Sequence, residues 1–233
     1  MNKEEFLKEL KKINININDK TLSKLDEYYE ILVEENEKYN LTAITEKNLV
    51  YLKHFYDSLS IVRIINLEDQ YLLDIGTGAG FPGLVLKIVF PNLKIDLLDS
   101  TNKKCLFLQK VIDKLELKNI NVINARAEEY AKDNREIYDI VTSRAVAPLK
   151  HLLEYSIPLL KVNGNFISLK SNIDEELKNI NNYYNKLYLS NEQIIKYELP
   201  KELSLRTLYK VTKQNKTPLI YPRMYSQIKK KDI

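Results

Sequence analysis

Apolar residues in the first sixty positions recur at helical spacing. Leu22, Leu25, Tyr29 and Leu32 form one stripe, and Leu49, Leu52, Tyr56 and Leu59 another. Thr45 is placed to cap the second of these helices. No strand pattern interrupts them. From residue 71 the pattern changes. Short apolar runs at Tyr71–Ile75, Ile95–Leu98, Val122–Asn124, Ile137–Ser143 and Phe166–Lys170 alternate with helical segments at Leu84–Phe90, Lys103–Leu115, Leu149–Leu160 and Asp174–Leu187. Ile194–Leu199 and Leu208–Thr212 read as two final strands. The turn between them is too short for a crossover helix, so they should pair antiparallel. Alternating strands and helices predict an α/β, doubly wound and mostly parallel sheet. We expect seven strands with a closing antiparallel one. The expected organisation is an N-terminal helical extension over 1–65, a core over 66–216 and a basic C-terminal tail over 217–233, the tail only partly ordered.

Composition narrows the class without deciding it. The 233 residues are 44% hydrophobic and 29% charged, enough for one domain with a full core and a small attachment. No stretch approaches the roughly 18–20 apolar residues of a membrane span. Met1-Asn2-Lys3-Glu4-Glu5-Phe6 lacks the apolar centre of a signal peptide. The lone Cys105 excludes an internal disulfide or a cysteine-rich zinc site. A cytoplasmic enzyme is the expectation, with no membrane or metal partner. The net charge of +4 allows a nucleic-acid partner but does not demand one. The Asn-, Ile-, Lys- and Tyr-rich bias is what an AT-rich genome produces, which discounts the lysine count.

The glycines change the picture. Average usage would give roughly sixteen in this length. There are five, four of them at Gly76, Gly78, Gly80 and Gly83. Glycine is needed where the backbone takes positive φ or approaches something closely. The loop Asp74-Ile75-Gly76-Thr77-Gly78-Ala79-Gly80-Phe81-Pro82-Gly83 follows the first strand, and ligands on such sheets bind at strand carboxyl ends. Gly78 to Gly83 also spell G-x-G-x-x-G, the nicotinamide dinucleotide fingerprint. Two details favour S-adenosylmethionine. Asp74 lies two residues before Gly76, where D-x-G-x-G-x-G has its acid. Pro82 removes an amide from the turn where a pyrophosphate would want one, and S-adenosylmethionine has no pyrophosphate. The fold expected is therefore the Rossmann-like S-adenosylmethionine methyltransferase fold.

Other strand ends add candidates. Asp99 ends strand two, where a carboxylate can accept from ribose hydroxyls; it could also cap the following helix. Ala127-Glu128 follows strand three and could read the adenine's exocyclic amine, or be a solvated acidic loop. Ser143-Arg144-Ala145 ends strand four, where methyltransferases place substrate-facing groups. The Asn/Asp-Pro-Pro-aromatic motif of exocyclic-amine methyltransferases is absent there. Cys105 sits among apolar neighbours on a predicted helix, which suits core better than a C5-pyrimidine nucleophile. An acceptor needing neither device remains. Guanine N7 carries a free lone pair and no proton, so it requires positioning and no general base.

These groups together resemble the glucose-inhibited division protein B family, bacterial 16S ribosomal RNA guanine-N7 methyltransferases. The resemblance runs from about Leu22 to Arg223. It rests on Tyr39-Asn40-Leu41-Thr42, His54-Phe55-Tyr56-Asp57-Ser58, the glycine loop, Leu97-Leu98-Asp99-Ser100, Arg126-Ala127-Glu128-Glu129, Ser143-Arg144-Ala145 and Leu169-Lys170. It implies a fixed guanine of 16S rRNA, guanine 527 of the decoding region, as target, with the RNA or the small subunit as partner. It implies S-adenosylmethionine contacts from Gly76, Phe81, Ala127, Glu128 and Arg144; Gly78 and Asp99 join them from loop and fold geometry. The resemblance also draws attention to His54. On helical spacing it shares a face with Asp57 and Ser58, so it either orients part of the site or makes a helix-to-core contact. Family members often end in a Pro-Arg-Lys basic tail. Here Tyr221-Pro222-Arg223 is kept, and Met224-Tyr225-Ser226-Gln227 stands in place of the tail's next residues.

The leading expectation is thus a monomeric rRNA methyltransferase with His54, Arg126, Lys170 and Arg206 on the substrate side. Arg126, Arg144, Lys170 and Arg206 are its candidate basic groups for RNA. An NAD-dependent oxidoreductase using the glycine loop is the alternative. A non-catalytic RNA-binding module is the third reading, against which the intact glycine loop argues.

Overall fold

The computed structural model describes residues 1–178 and 180–233. Helices α1 (Lys3–Lys12) and α2 (Asp19–Tyr39) lead the chain. Asn2 and Glu5 form a capping box on α1, each side chain accepting from the other's amide at 2.9 Å. Asn40 ends α2 with a left-handed turn, φ 51°. The next helical run is continuous but not uniform. It comprises α3 (Lys47–Val50), a π-helical stretch Tyr51–Tyr56, α4 (Asp57–Leu59) and a 3-10 turn Ser60–Arg63. Thr45 does not cap it. Glu46 stands immediately before the first helical residue, and its carboxylate accepts from the Asn48 and Leu49 amides.

The core then runs β1 (Tyr71–Ile75), α5 (Gly83–Val89), β2 (Lys94–Asp99), α6 (Asn102–Lys114), β3 (Ile120–Asn124), α7 (Ala127–Asp133), β4 (Tyr138–Arg144) and α8 (Leu149–Ser156). It continues with β5 (Leu160–Lys170), α9 (Asp174–Leu177), α10 (Asn181–Leu187), β6 (Leu189–Glu198), β7 (Leu205–Lys213) and α11 (Tyr225–Lys230). The strands form one seven-stranded sheet ordered β3-β2-β1-β4-β5-β7-β6. β7 pairs antiparallel with both β5 and β6, so the antiparallel strand is inserted beside β5 and β6 takes the edge.

Neighbouring residues of one strand supply opposite cores, as the two-residue period requires. Leu72, Leu97, Ile140 and Ile167 pack with α5, α6 and the N-terminal helices. Leu73, Leu98, Val141 and Phe166 pack on the other face with α8, α10 and the C-terminal segment.

Several elements differ from the sequence reading. The expected helix 149–160 stops at Ser156, because Pro158 cannot donate to a helix; a 3-10 turn comes next and the strand starts at Leu160. The expected helix 174–187 is two short helices, α9 and α10; position 179 lies outside the described residues. The short helix α7 was not expected beyond Ala127-Glu128. The tail expected to be loose is packed. Tyr221 and Ile228 are buried, and Arg223 forms a bidentate pair with buried Glu154 at 2.7 Å on both arms. Among the described residues no helix is long and apolar enough to cross a membrane.

Candidate active site

Asp74 is the penultimate residue of β1 and fully buried. Its Oδ2 accepts from the Thr77 hydroxyl at 2.6 Å and the Gly83 amide at 2.8 Å, so one carboxylate ties both ends of the loop. Its Oδ1 is buried without a partner among the described residues. Burial pushes this carboxyl up to about 7, against the pull of those hydrogen bonds. Between the tied ends, Gly76 and Gly78 turn through φ of 65° and 60°. A Cβ on Gly76 would also come within 2.6 Å of Val146 Cγ2, whereas one on Gly78 would meet only the Gly76 carbonyl oxygen at 3.9 Å. The Gly78 amide donates to Asp99 Oδ2 at 3.0 Å, joining the ends of β1 and β2.

The N-terminal helices hold the loop from outside. The Tyr28 hydroxyl of α2 donates to the Ala79 carbonyl. The Phe81 ring stacks on His54 at 4.3 Å between centroids and lies 5.7 Å from Tyr28. Such aromatic contacts add directional attraction to plain burial.

Two cavities adjoin at Gly76. The first, of about 430 Å³, is lined by His54, Asp57, Phe81, Arg144, Lys170 and Arg206 among others. The second, of about 390 Å³, is lined by Asp99, Arg126, Ala127, Glu128, His151 and Tyr225 among others.

Asp57 is the hub of the first cavity. Its Oδ2 accepts from Arg144 at 3.2 Å, and its Oδ1 takes the Tyr197 hydroxyl at 2.9 Å and lies 3.4 Å from Arg206 Nε. Two guanidiniums share one buried carboxylate, which leaves the wall positive. Arg144 also donates to the Lys53 carbonyl at 3.0 Å and lies over the Phe81 ring. His54 Nδ1 sits between that carbonyl at 3.2 Å, which only accepts, and Arg144 Nη2 at 3.3 Å, which only donates. A neutral ring serves one of them at a time, and the Thr42 hydroxyl, 3.0 Å from Nε2, suits either tautomer. Burial first, then the charge of Arg144, pushes His54 down to about 3. Lys170 is held by both Glu176 oxygens at 2.8 Å and by the Ala147 carbonyl at 2.9 Å.

The second cavity sets Asp99 and Glu128 beside Arg126 and Lys229. Asp99 faces the cavity and its Oδ1 accepts from the Thr101 amide at 2.8 Å, but Thr101 itself is the N-cap of α6 and no side chain caps that helix. Glu128 Oε1 accepts from Arg126 Nε at 2.6 Å. Cys105 is buried against the Asp99 carbonyl, and burial pushes its thiol up, which suits core rather than nucleophile.

Of the four substrate-side candidates, the structure brings His54, Lys170 and Arg206 together in the first cavity. Arg126 lies apart in the second, paired with Glu128. Gly76 borders both cavities, Gly78, Phe81 and Arg144 line the first, and Asp99, Ala127 and Glu128 line the second. Sequence reasoning missed the hub role of Asp57, although it lay within the His54–Ser58 element. It also missed Tyr197 and Tyr225, which carry no motif.

A model of the GidB family, rRNA small subunit methyltransferase G, matches residues 21–205. The chain is 46% identical over 232 residues to the ribosomal RNA small subunit methyltransferase G of Ligilactobacillus salivarius, covering 96% of this chain and 95% of that one. It is 47% identical over 222 residues to the protein of the same name from Mycoplasma capricolum, covering 93% and 94%. This chain belongs to the GidB family. Among solved structures, M. jannaschii TYW2 in complex with AdoMet aligns with a TM-score of 0.55 at 14% identity, over 74% of this chain and 77% of that one. TrmN from Thermus thermophilus aligns at 0.54 and 15% identity, over 70% and 53%. These likenesses show the Rossmann-like methyltransferase fold. The methyl donor of this GidB chain is S-adenosylmethionine. The nicotinamide alternative finds no support in these comparisons.

The described residues fit that donor. Asp99 and Glu128 are acceptor-only groups beside a nucleoside-sized cavity, as ribose hydroxyls and an exocyclic amine require. At Gly76, which borders both cavities, the loop presents bare backbone, where a Cβ would collide with Val146 of the second cavity's lining.

Proposed function

We propose that the chain methylates N7 of guanine 527 in the decoding region of 16S rRNA, in the cytoplasm and as a monomer. The observation that supports this reading is the state of the first cavity. It is basic, and its candidate proton acceptors are already engaged. Asp57 serves three donors, and His54 is wedged between Lys53 and Arg144. Guanine N7 offers a lone pair and no proton, so such a cavity needs only to hold it.

Bound S-adenosylmethionine supplies an electrophilic methyl group on sulfonium sulfur. In this reading Asp99 holds the ribose, Ala127 and Glu128 the adenine, and Gly76, Gly78, Phe81 and Arg144 the methyl-bearing end. His54 and Asp57 fix Arg144, while Arg206 and Lys170 face the RNA. Donor and acceptor exchange one positive charge, so no proton has to be moved. Residues 1–65 act as a buttress of the loop, 66–216 as the catalytic core and 217–233 as a closing segment.

The test is mass mapping of 16S RNA from a deletion strain. Loss of one 7-methylguanosine, restored by the gene, is expected. A modification pattern identical to wild type would refute the reading.

A further inference from the structure

The family match stops at residue 205, and the segment after β7 departs from the tail that the resemblance leads one to expect. That segment is nonetheless anchored to the core. Arg135 donates to the Tyr221 and Thr217 carbonyls at 2.6 and 2.7 Å. Buried Glu154 accepts from the Arg223 amide at 3.0 Å as well as from its side chain. Ile228 of α11 is buried against the same core as α8. These ties bring Tyr225 and Lys229 to the wall of the second cavity. There the Tyr225 ring lies 4.6 Å from the Arg126 guanidinium on one approach and 5.4 Å from Lys229 Nζ on another. Arg126 Nε in turn grips Glu128 Oε1.

We propose that the C-terminal segment is a wall of the cofactor site, and that Tyr225 is a positioning residue that selects a 6-aminopurine. The inference rests on the second cavity being the adenosine subsite. The Arg126 side chain is half exposed while Glu128 is buried, and an ion pair with one exposed partner fixes that partner only weakly. The Tyr225 face restricts the guanidinium to one side by cation–π attraction. With Arg126 held, one Glu128 oxygen is occupied and the carboxylate is fixed in orientation. A fixed acceptor favours the adenine amine and disfavours a 6-oxo purine, which presents an oxygen at the same place. A swinging carboxylate discriminates less.

Calorimetric titration tests this without turnover. The probes are S-adenosylhomocysteine and its 6-oxo analogue S-inosylhomocysteine. Tyr225→Ala should weaken S-adenosylhomocysteine by roughly two- to fivefold, the worth of one part-exposed cation–π contact, and shrink the preference over the analogue by a similar factor. Tyr225→Phe keeps the ring and should restore both. Hydrogen exchange across residues 223–231 should slow when S-adenosylhomocysteine binds the wild type. Tyr225 is 39% exposed, so its truncation opens no core cavity. A Tyr225→Ala chain that binds both probes as the wild type does, or loses both equally, overturns the proposal. Asp99→Ala keeps the two possible failures apart. If it leaves binding intact, the cavity assignment itself is wrong; if it abolishes binding while Tyr225→Ala changes nothing, only the tail inference falls.

Discussion

The two cavities that adjoin at Gly76 are built on opposite principles. The first is a closed circuit of charge, in which Asp57, Arg144, Arg206 and Tyr197 satisfy one another before any substrate arrives. The second sets two carboxylates, Asp99 and Glu128, beside two cations, Arg126 and Lys229, and is closed on one side by α11. The contrast matches the groups to be bound. RNA brings phosphate, so the basic wall is fixed in advance and loses little freedom on binding. The methyl donor brings ribose hydroxyls and an adenine amine, so acceptor carboxylates face it. Changes on one side should therefore register in a different observable from changes on the other.

Breaking the hub should have the largest effect. Asp57→Ala leaves two guanidiniums and the Tyr197 hydroxyl in a largely buried place with no shared acceptor. Removing one partner of a buried ion pair costs about 3–5 kcal/mol. Urea unfolding should show a loss of that order, and methylation of 30S subunits should fall by roughly a hundredfold or more, as about 2.7 kcal/mol of lost positioning dictates. Unchanged stability would mean that Asp57 is not the hub.

Next comes the pH response of His54. Its folded value of about 3 lies below the ordinary 6.5, so the neutral ring is the form the fold prefers. The stability it contributes is complete above pH 6.5 and is lost as pH falls toward 3. By about pH 4.5 the loss is about 2.7 kcal/mol, roughly two pH units at about 1.36 kcal/mol each. His54→Gln should flatten the stability curve between about pH 6.5 and 4.5 by that order in urea titrations. A variant with the wild-type slope would show that the ring is not held neutral.

A smaller effect is expected from Arg144→Lys. The substitution keeps the charge but loses the fork that reaches Asp57, the Lys53 carbonyl and Phe81 together. Losing one charge-assisted hydrogen bond of about 1.5–3 kcal/mol predicts a fall in kcat/KM of roughly ten- to a hundredfold. Wild-type turnover in the lysine variant would show that charge alone suffices and the fork is dispensable.

How much of this was legible in the sequence differs between the two cavities. The glycine loop was readable because positive φ and close approach restrict the residue type at Gly76 and Gly78. The strand-end acids were readable because a parallel sheet puts its ligands there. The seven strands and the antiparallel pair came from apolar period and turn length. The Asp57 circuit was not readable in full, because it joins positions 57, 144, 197 and 206, whose meeting is fixed by the β7 insertion beside β5 and by the π-helical stretch before α4. That Arg126 lies apart from the other three basic candidates was hidden for the same reason. A basic residue after strand three looks RNA-facing until α7 folds and turns it onto Glu128. The tail looked loose because its composition is polar; the ion pair of Arg223 with Glu154 has no local signal.

The finest test separates two further cations of the first cavity. Lys170 and Arg206 look equivalent in the sequence, both basic and near strand ends. In the fold Lys170 is matched by Glu176, and that carboxylate also accepts from the Leu149 amide that opens α8. Arg206 instead shares Asp57 with Arg144, so the trio carries a surplus positive charge. Only a surplus charge displaces counterions when phosphate arrives. Each phosphate contact contributes about 0.7–0.9 to the slope of log affinity against log salt. Arg206→Met should therefore lower that slope by nearly one unit, whereas Lys170→Met should change it by a few tenths, since Glu176 is freed with no phosphate lost. Filter binding of a 16S RNA fragment across a salt series measures both. Equal slopes in the two variants would show that the ion pair with Glu176 opens when RNA binds, and that the two cations act alike after all.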